Sequence, residues 1–446
     1  MTHSSRISDL RSPLIRVIVG SLALAGMATP ALSQSLVWER TWGGPQFEQA
    51  EGVAVGPDGS VYLAGQTTSF GTGVDVAAED IFLIKYSSTG SIIWQRTYGE
   101  APSDSSPFPS DFASDVEVGS DGTVVVTGST SSGLVLLVKF DSDGNLVWER
   151  SFSGGTFDNA NGMALAADGS IYVVGLTFSP EGPADALIMK VDADGTPLWQ
   201  RTWGGGSTDV AHDVAVASDG NIYVAGTNNS FFGDDAHLLK LSPDGNVIWE
   251  RNWRAGVTSG NSAAHGVAVG LDQSVYITGR ASLASGQDVF LVKFTPDGNV
   301  TWERTWDGGA DTANRVAVGP SGNIFVTGRT GVGAGGGDAF LLEFLPSGKV
   351  RSASTWGGQF FENAQDIAVG ANGNVFVATV TETPPPYVFQ GAPQQAKKVS
   401  AFLGTPAGTL TILNEAFGTL TGTVLTPNGS ETFAGTTEAG LLNIVP

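Results

Sequence analysis

The feature that most constrains this chain is a repeat of 50 to 60 residues. A tryptophan follows a turn glycine by four residues in five pairs, which are Gly90–Trp94, Gly144–Trp148, Gly195–Trp199, Gly245–Trp249 and Gly298–Trp302. Trp38 begins the series, and two degraded copies end it at Gly348–Ser352 and Gly408–Ile412. A fixed period of this length is typical of stacked supersecondary units, so we expect eight such units.

Each unit has the pattern of a four-stranded antiparallel meander. In the fourth copy the apolar runs 214–216 and 222–226 flank Asp219-Gly220, and the runs 237–241 and 247–251 flank a second turn. Asp-Gly and Asn-Gly pairs are strong hairpin signals because both residues accept positive φ. Units of this size predict the blades of a β-propeller. A linear solenoid is the main alternative, but it would expose its two end sheets.

The two ends of the chain complement each other. Residues 36–40 have the pattern of a fourth strand, whereas 441–444 have that of a third strand. Pairing them would remove the exposed sheet edges. We therefore predict an all-β fold, an eight-bladed β-propeller in which the N-terminal strand completes the eighth blade. In this interpretation residues 34–446 form a single domain, with degenerate repeats and a proline-rich insertion within 350–446.

Residues 1–33 have the pattern of a secretory signal peptide. Arg6, Arg11 and Arg16 precede or flank the apolar run 17–27, and small residues follow before the expected cleavage after Ser33. An N-terminal membrane anchor is the alternative. No later stretch is apolar enough to cross a bilayer, and the absence of cysteine excludes a cysteine-linked lipid anchor and disulfides. We therefore expect a secreted or periplasmic protein.

The acidic composition limits the partners. A formal net charge of −22 disfavours binding to nucleic acid and to anionic membranes. The expected partner is an extracytoplasmic protein or a glycan, and the chain is expected to be monomeric.

Residues 42–44 and 51–67, which contain the string Glu-Gly-Val-Ala-Val-Gly-Pro-Asp-Gly-Ser-Val-Tyr-Leu-Ala-Gly, resemble the bacterial SBBP-type β-propeller repeat family. This resemblance covers nearly the whole of 34–446 and implies an extracytoplasmic propeller, without a common activity. Residues 141–148 are similar to the tryptophan-docking motif of quinoprotein-like propellers, in which the tryptophan packs against the next blade. The enzymatic activity of that family is not expected here, because this chain lacks the cysteines often found beside its quinone sites.

Charged residues that recur at the same position of most copies are interpreted as architecture. An arginine stands two residues after the tryptophan position, and a lysine recurs in the third strand after an aspartate. We expect these residues to form ion pairs between strands or blades, although a ring of lysines for an anion is an alternative. The turns with Asp141/Asp143 and Asp192/Asp194 suggest calcium, but a calcium site needs about six to eight oxygen ligands. Plain hairpin turns are therefore favoured.

Residues that differ between the copies are the better functional candidates. Each first strand contains a run of the type Val-Ala-Val, such as 53–55. Two positions before the opening residue of this run, the copies carry polar but varied residues. These are Glu51, Ser114, Asn161, His212, His265, Asn314 and Gln365. If the first strands are innermost, these residues line one mouth of the central channel and contact a ligand. His212 and His265, on adjacent blades, suggest a transition metal together with Glu51, whereas a hydrated polar mouth is the simpler alternative.

Arginines form a second exception to the repeat. Arg280 and Arg329 follow strand-ending glycines where other copies have uncharged residues, and with Arg315 they predict a basic patch for an acidic ligand or glycan. The alternative is that they pair with Asp288 or Asp338.

No catalytic motif stands out in the sequence. The expected function is therefore that of an exported, non-enzymatic binding or scaffold propeller without a cofactor. The alternative is a hydrolase or lyase at the channel mouth, with or without calcium or zinc.

Overall fold

The computed structural model describes residues 12–21, 35–44, 47–70, 78–99, 110–179, 182–205, 207–230, 233–255, 261–283, 286–306, 309–331, 337–357, 361–383, 410–411, 420–426, 429–435, 437–438 and 441–442. The chain divides into two units, residues 1–385 and 386–446. No helix able to span a bilayer occurs among the described residues.

The strands of the first unit form four-stranded antiparallel sheets. The first two strands are β1 (Ser12–Ser21) and β2 (Ser35–Trp42). Six blades then follow, each made of four consecutive strands. Blade 1 comprises β3 (Glu48–Val55), β4 (Val61–Thr67), β5 (Asp80–Tyr86) and β6 (Ile92–Tyr98). Blade 2 comprises β7 (Asp111–Val118), β8 (Val124–Thr130), β9 (Val135–Phe140) and β10 (Leu146–Phe152). Blade 3 comprises β11 (Phe157–Leu165), β12 (Ile171–Phe178), β13 (Ala184–Val191) and β14 (Pro197–Trp203).

The second half of the ring repeats this arrangement. Blade 4 comprises β15 (Asp209–Val216), β16 (Ile222–Ser230), β17 (Gly233–Leu241) and β18 (Val247–Trp253). Blade 5 comprises β19 (Ser262–Val269), β20 (Val275–Leu283), β21 (Gly286–Phe294) and β22 (Val300–Trp306). Blade 6 comprises β23 (Thr312–Val318), β24 (Ile324–Thr330), β25 (Asp338–Phe344) and β26 (Val350–Trp356). A closing sheet joins β27 (Glu362–Val369) and β28 (Val375–Thr383) to β1 and then β2.

The ring closes through this sheet, so the prediction of eight blades is wrong. The backbone amide of Val53 on β3 donates to Asp366 on β27, with 2.7 Å between nitrogen and oxygen, and the Gln365 amide donates to Glu51 at 3.0 Å. These contacts join the first blade directly to the closing sheet. The period correctly identified repeated units, but it did not show which of them complete the ring.

Of the two degraded copies, Gly348–Ser352 belongs to blade 6, so only the copy at Gly408–Ile412 falls within the second unit. Its described strands are β29 (Leu410–Thr411), β30 (Leu420–Thr426) and β31 (Gly429–Gly435) in one sheet, and β32 (Thr437–Glu438) and β33 (Leu441–Leu442) in another. The predicted pairing of 36–40 with 441–444 is also wrong, because β33 pairs with β32 and β2 pairs with β1. The proline-rich segment 384–400 lies outside the described residues, as do 1–11 and 22–33 of the predicted signal, whereas 12–21 form β1.

Tight turns join the first and second strands of each blade. In blade 1 the Gly59 amide donates to the Gly56 carbonyl at 2.9 Å, and Asp58 accepts the Ser60 amide at 2.9 Å. Gly59 has φ of +77°, a left-handed conformation that costs glycine little. In blade 5 Gln273 occupies this position with φ of +62° and is the one non-glycine residue with positive φ among the described residues.

Burial follows the order of the strands within a blade. The second and third strands are buried on both faces, as in β4 and β5, because each sheet packs against two neighbours. The fourth strands, such as β6, alternate between half-buried and exposed residues. The core therefore consists of apolar layers between adjacent sheets, and the fourth strands form the outer rim.

An outer girdle of tryptophans and arginines connects neighbouring sheets. The Trp249 indole donates to the Pro296 carbonyl of the next blade at 3.1 Å, and the Arg251 Nε donates to the Gly298 carbonyl at 2.9 Å. Arg251 also lies over the Trp249 ring, 5.1 Å from its centroid. Trp38 on β2 makes the same contact with the Ser88 carbonyl at 3.0 Å. The prediction that these arginines form ion pairs is wrong, since the contacts shown are with backbone carbonyls and indole rings.

The recurring lysines combine two kinds of contact. Lys85 lies 3.5 Å from Asp58, and Lys293 lies 3.0 Å from Asp272, in the turn of the same blade. Lys240 instead donates to the Pro296 carbonyl at 3.0 Å. Each of these lysines also stacks over a buried tyrosine of the second strand of its blade. This contact gives the lysine a structural role that recurs from blade to blade.

Candidate binding site at the channel mouth

A β-bulge occurs at the same place in the innermost strand of every blade and of the closing sheet. In β3 the pairing register shifts between Ala50 and Gly52, and in β15 it shifts between Ala211 and Asp213. A bulge leaves one residue outside the ladder and redirects its side chain. The residues left out are the seven singled out by the sequence, Glu51, Ser114, Asn161, His212, His265, Asn314 and Gln365.

These seven residues line a single open cavity of about 680 Å³. The wall also contains polar residues of the second strands, such as Gln66 and Ser129, and the rings of Phe112 and Phe157 on blades 2 and 3. The volume lies within the ~300–1,000 Å³ typical of small-ligand pockets. The structure therefore brings together all seven predicted mouth residues, and their binding of a ligand stays a prediction.

A second layer of residues, one position further along the strands, connects the blades. These residues are Gly52, Asp115, Gly162, Asp213, Gly266, Arg315 and Asp366. Asp115 accepts the Met163 amide of the next blade at 2.9 Å, and Asp213 accepts the Val267 amide at 2.8 Å. Each aspartate thus reaches across to the backbone just after a glycine, where the strands approach closely.

The glycines of this layer are required by that approach. A Cβ atom on Gly52 would lie 2.8 Å from the Val116 amide nitrogen, and one on Gly162 would lie 2.9 Å from the His212 carbonyl oxygen. The alternation of aspartate and glycine was a readable signal in the sequence, because the two residue types occur in register with the bulges.

Arg315 spans the channel. Its Nη1 donates to the His265 carbonyl at 3.1 Å, and its Nη2 donates to the Asn161 carbonyl on blade 3 at 3.3 Å. Its Nε lies 3.6 Å from Asp366. The guanidinium is the positive charge of an otherwise acidic layer, and it stabilises the carboxylates of Asp213 and Asp366.

The three arginines predicted as one basic patch have different surroundings. Arg315 is half-buried in the channel, whereas Arg280 is exposed. Arg329 lies over the Phe361 ring, 5.1 Å from its centroid. The predicted alternative partners, Asp288 and Asp338, make no salt bridge with Arg280 or Arg329 among those found in the described residues.

Glu51 is held by amide side chains. Gln49 and Gln66 donate to its Oε1, the latter at 3.4 Å, and Gln365 donates to its Oε2 at 3.0 Å. Burial raises the pKa of Glu51 to about 7, although the Gln49 hydrogen bond and the charge of Arg315 oppose this shift. A carboxyl group near half-protonation at neutral pH is able both to donate and to accept a proton.

The two histidines of the mouth lie against each other. Their ring centroids are 5.1 Å apart with the planes nearly perpendicular. The His265 Nδ1 lies 2.9 Å from the Ala313 carbonyl oxygen and donates to it, and the His212 Nε2 lies 3.1 Å from the Thr227 hydroxyl. Burial lowers the pKa of His265 to about 4 and also lowers that of His212, with added repulsion from Arg280 and Arg315.

Both imidazoles are therefore neutral at neutral pH, which is the form that binds a metal. Within the described ranges, however, no group of three or more histidine, cysteine, aspartate or glutamate residues has metal-site geometry. The Glu51 that the sequence suggested as a third ligand is instead held by the glutamines.

Glu117 is a channel residue that the sequence reasoning missed. It is half-buried on β7, where the equivalent positions of the other innermost strands carry alanine, namely Ala54, Ala164, Ala215, Ala268, Ala317 and Ala368. Burial raises the pKa of Glu117 well above its ordinary range, and the charges of Asp115 and Asp366 add to this effect. In the sequence, Glu117 is recognisable as the one acidic residue at a position where the other repeats carry alanine.

Comparisons with known proteins agree with the fold. A family model described as outer membrane protein assembly factor BamB matches residues 83–295. The regulatory protein FlaEY of Caulobacter vibrioides is 32% identical over 134 residues, covering 26% of this chain and only 14% of that protein.

Solved structures give weaker likenesses. The Pan2 WD40 domain of Neurospora crassa has a TM-score of 0.47 at 12% identity, covering 76% of this chain and 90% of that one. Sqt1 of Chaetomium thermophilum has a TM-score of 0.45 at 12% identity, covering 76% and 96%. The resemblance to SBBP-type repeats stays a prediction, but the sheets and the family match together show that this chain is a β-propeller repeat protein.

Proposed function

We propose that this protein is an exported, non-enzymatic binding propeller that holds a polar ligand, carried by an extracytoplasmic protein or a glycan, in the channel mouth. The observation that carries this proposal is the convergence of the residues that differ between repeats on one open polar cavity. Residues repeated in every sheet maintain the ring, so selection for a ligand acts where the copies diverge. The match to the BamB family model supports an extracytoplasmic binding role of this kind.

A blocking substitution tests the site. Ser114 lines the cavity, and its replacement in Ser114→Trp would fill part of the mouth. Purified protein is tested against an immobilised glycan panel and against periplasmic and secreted proteins. We expect Ser114→Trp to weaken the strongest interaction at least tenfold, whereas Thr301→Trp, on the exposed outer strand β22, leaves it unchanged. Equal binding by both variants would show that the ligand lies elsewhere.

Export is tested by recovering the protein from the periplasm or the medium and determining its N-terminal sequence. Cleavage after Ser33 would remove β1, so the same measurement decides whether the closing sheet keeps that strand. A protein recovered only from the cytoplasm, with Met1 or Thr2 at its start, would contradict export.

A second candidate function is acid–base catalysis by Glu51. The observation that favours it is a carboxyl group with a pKa of about 7 in the wall of the cavity. Turnover of polysaccharides by the wild type, lost in Glu51→Gln with the fold intact, would establish a hydrolase or lyase and overturn the non-enzymatic proposal. Turnover that increases on addition of zinc or calcium would indicate the metal-assisted form.

A further inference from the structure

Arg280 is an exposed cation near the two histidines of the mouth, although it is not among the residues that line the cavity. It has no hydrogen bond, ion pair or ring contact within the described part of the chain. By contrast, Arg254 pairs with Asp235, and Arg329 lies over Phe361. Because guanidinium groups at folded surfaces usually find a carboxylate, carbonyl or ring, a free one beside a cavity is available to a ligand.

The position of Arg280 in the repeat directs it to the cavity. It follows Gly279 on β20. A Cβ atom on Gly279 would lie 3.0 Å from the His265 backbone nitrogen, so this part of β20 runs close to His265. The equivalent residues of other blades contact the mouth directly. Gln66 and Ser129 line the cavity, and Thr227 hydrogen-bonds His212. Arg280 therefore stands beside the two histidines, at a position where blades 1 to 4 carry uncharged residues and blade 6 carries Arg329.

The remainder of the cavity wall is suited to a sugar. Asn159, Asn161 and Asn314 line the cavity with amide groups. Asn159 accepts from Ser129 through its oxygen and keeps its NH2 group as a donor. Asn161 and Asn314 donate to backbone carbonyls and keep an amide oxygen as an acceptor for a hydroxyl-rich ligand. On blade 3, two blades from Arg280, Phe157 is 42% exposed, and its ring offers an apolar face against which a pyranose can pack.

The negative charge of the protein determines which anionic ligands can bind near Arg280. The chain carries a net charge of −22, and Glu51 adds negative charge to the mouth itself. A polyanion would be repelled by this field, whereas one carboxylate matches the two parallel N–H groups of a single guanidinium. A monosaccharide unit with one carboxylate meets both conditions.

We infer that the mouth contains a subsite for a carboxylate-bearing sugar, with the carboxylate on Arg280 and the sugar ring against the amide and phenylalanine wall. This inference rests on the proposed function, because it requires that the ligand enters the channel mouth. It narrows that function to glycans containing uronic-acid units.

The test compares a charged saccharide with its neutral counterpart. Galacturonic acid, which carries one carboxylate, and its neutral methyl ester are titrated calorimetrically into wild type, Arg280→Gln and the matched control Arg329→Gln. We expect the wild type and the control to bind the acid about tenfold more tightly than the ester, the effect of one charge-assisted hydrogen bond. Arg280→Gln should bind both forms equally, at the affinity of the wild type for the ester. Because Arg280 is exposed and unpartnered, the variant should fold normally, which circular dichroism checks.

Salt provides a second readout, since an exposed ion pair is screened at high ionic strength. The preference for the acid should decline between 50 and 500 mM NaCl in the wild type and should be absent throughout in Arg280→Gln.

Contrary outcomes separate this inference from the proposed function. Equal binding of acid and ester by the wild type, abolished in Ser114→Trp, would overturn the carboxylate subsite and leave the mouth as a binding site. Binding of tetraglutamate but of neither saccharide, dependent on Arg280, would replace the sugar by an acidic peptide and overturn the inference. Binding of neither saccharide nor peptide, with no interaction sensitive to Ser114→Trp, would overturn both proposals.

Discussion

The outer girdle and the channel mouth are built from the same repeat but use it in opposite ways. In the girdle, the tryptophan indole of one sheet donates to a carbonyl of the next, and the same geometry recurs at Trp38, Trp199 and Trp249. In the mouth, the seven sheets present five kinds of polar side chain at one shared bulge. The comparison indicates that repeated contacts maintain the ring, whereas a common backbone irregularity provides positions that vary without loss of the fold.

The comparison also separates two uses of arginine. Arg304 of the girdle is exposed and donates to backbone carbonyls, so solvent compensates much of its charge. Arg315 of the channel is half-buried, and its charge attracts the buried carboxylates of Asp115, Asp213 and Asp366. A charge in the girdle is therefore dispensable, whereas the charge in the channel is structural.

Replacing Arg315 should produce the largest effect. Arg315→Met leaves buried carboxylates without their cation, which should lower the free energy of unfolding by about 3 kcal/mol at pH 7. The control Arg304→Met should cost about 1 kcal/mol. Urea unfolding followed by tryptophan fluorescence measures both. Similar losses in the two variants would remove the distinction between girdle and channel.

The glycines of the channel layer should show the next largest effect. In Gly52→Ala the new methyl group would press on the Val116 amide and the Asp115 backbone of the next blade, neither of which can rotate away. We expect a loss of about 2 kcal/mol in the free energy of unfolding. Gly205→Ala is the control, because no atom lies within 4 Å of the added carbon, and its effect should stay within about 0.5 kcal/mol. Unchanged stability of Gly52→Ala would mean that the innermost strands separate readily.

The fold was largely predictable because its signals are local and repeated. The spacing of turn glycines and tryptophans identifies four-stranded antiparallel units, and the polar residues of the first strands identify the mouth. The number of units in the ring was not predictable in this way. It depends on the angle between packed sheets, and the contact of Asp366 with Val53 that closes the ring joins residues 313 positions apart. The hydrogen bond from Arg315 to the Asn161 carbonyl on blade 3 likewise depends on the closed ring and not on the local sequence.

A second set of tryptophans on the fourth strands provides a natural test of indole hydrogen bonds. The Trp253 Nε1 donates to Glu303 of the next blade at 2.9 Å, whereas the buried Trp356 Nε1 has no acceptor among the described residues. Trp253→Phe should therefore cost about 1 kcal/mol more than Trp356→Phe, since both changes remove the same ring atoms but only the first removes a hydrogen bond. Thermal and urea unfolding of both variants give the difference. Equal losses would assign the role of these tryptophans to packing alone.

The smallest effect concerns protons in the mouth. A carboxyl group whose pKa is raised by folding retains its proton longer than in the unfolded chain, so stability falls as the pH rises through the raised pKa. Glu51, raised to about 7, should lower the free energy of unfolding by about 0.7 kcal/mol between pH 6.5 and 7.5, and Asp115, also raised by burial, acts in the same direction.

The histidines act in the opposite direction within this window. Burial lowers their pKa values, to about 4 for His265, so the unfolded chain takes up protons as the pH falls towards the ordinary value of 6.5, and stability rises again as the pH increases. The contribution of Glu51 is therefore the difference between variants: urea midpoints measured between about pH 6.5 and 7.5 should rise more, or decline less, in Glu51→Gln than in the wild type. Glu149→Gln, on the exposed outer strand β10, should keep the slope of the wild type. A slope unchanged in Glu51→Gln would mean that Glu51 is ionised throughout, which would remove the acid–base role considered for it and leave it as an acceptor for the three glutamines.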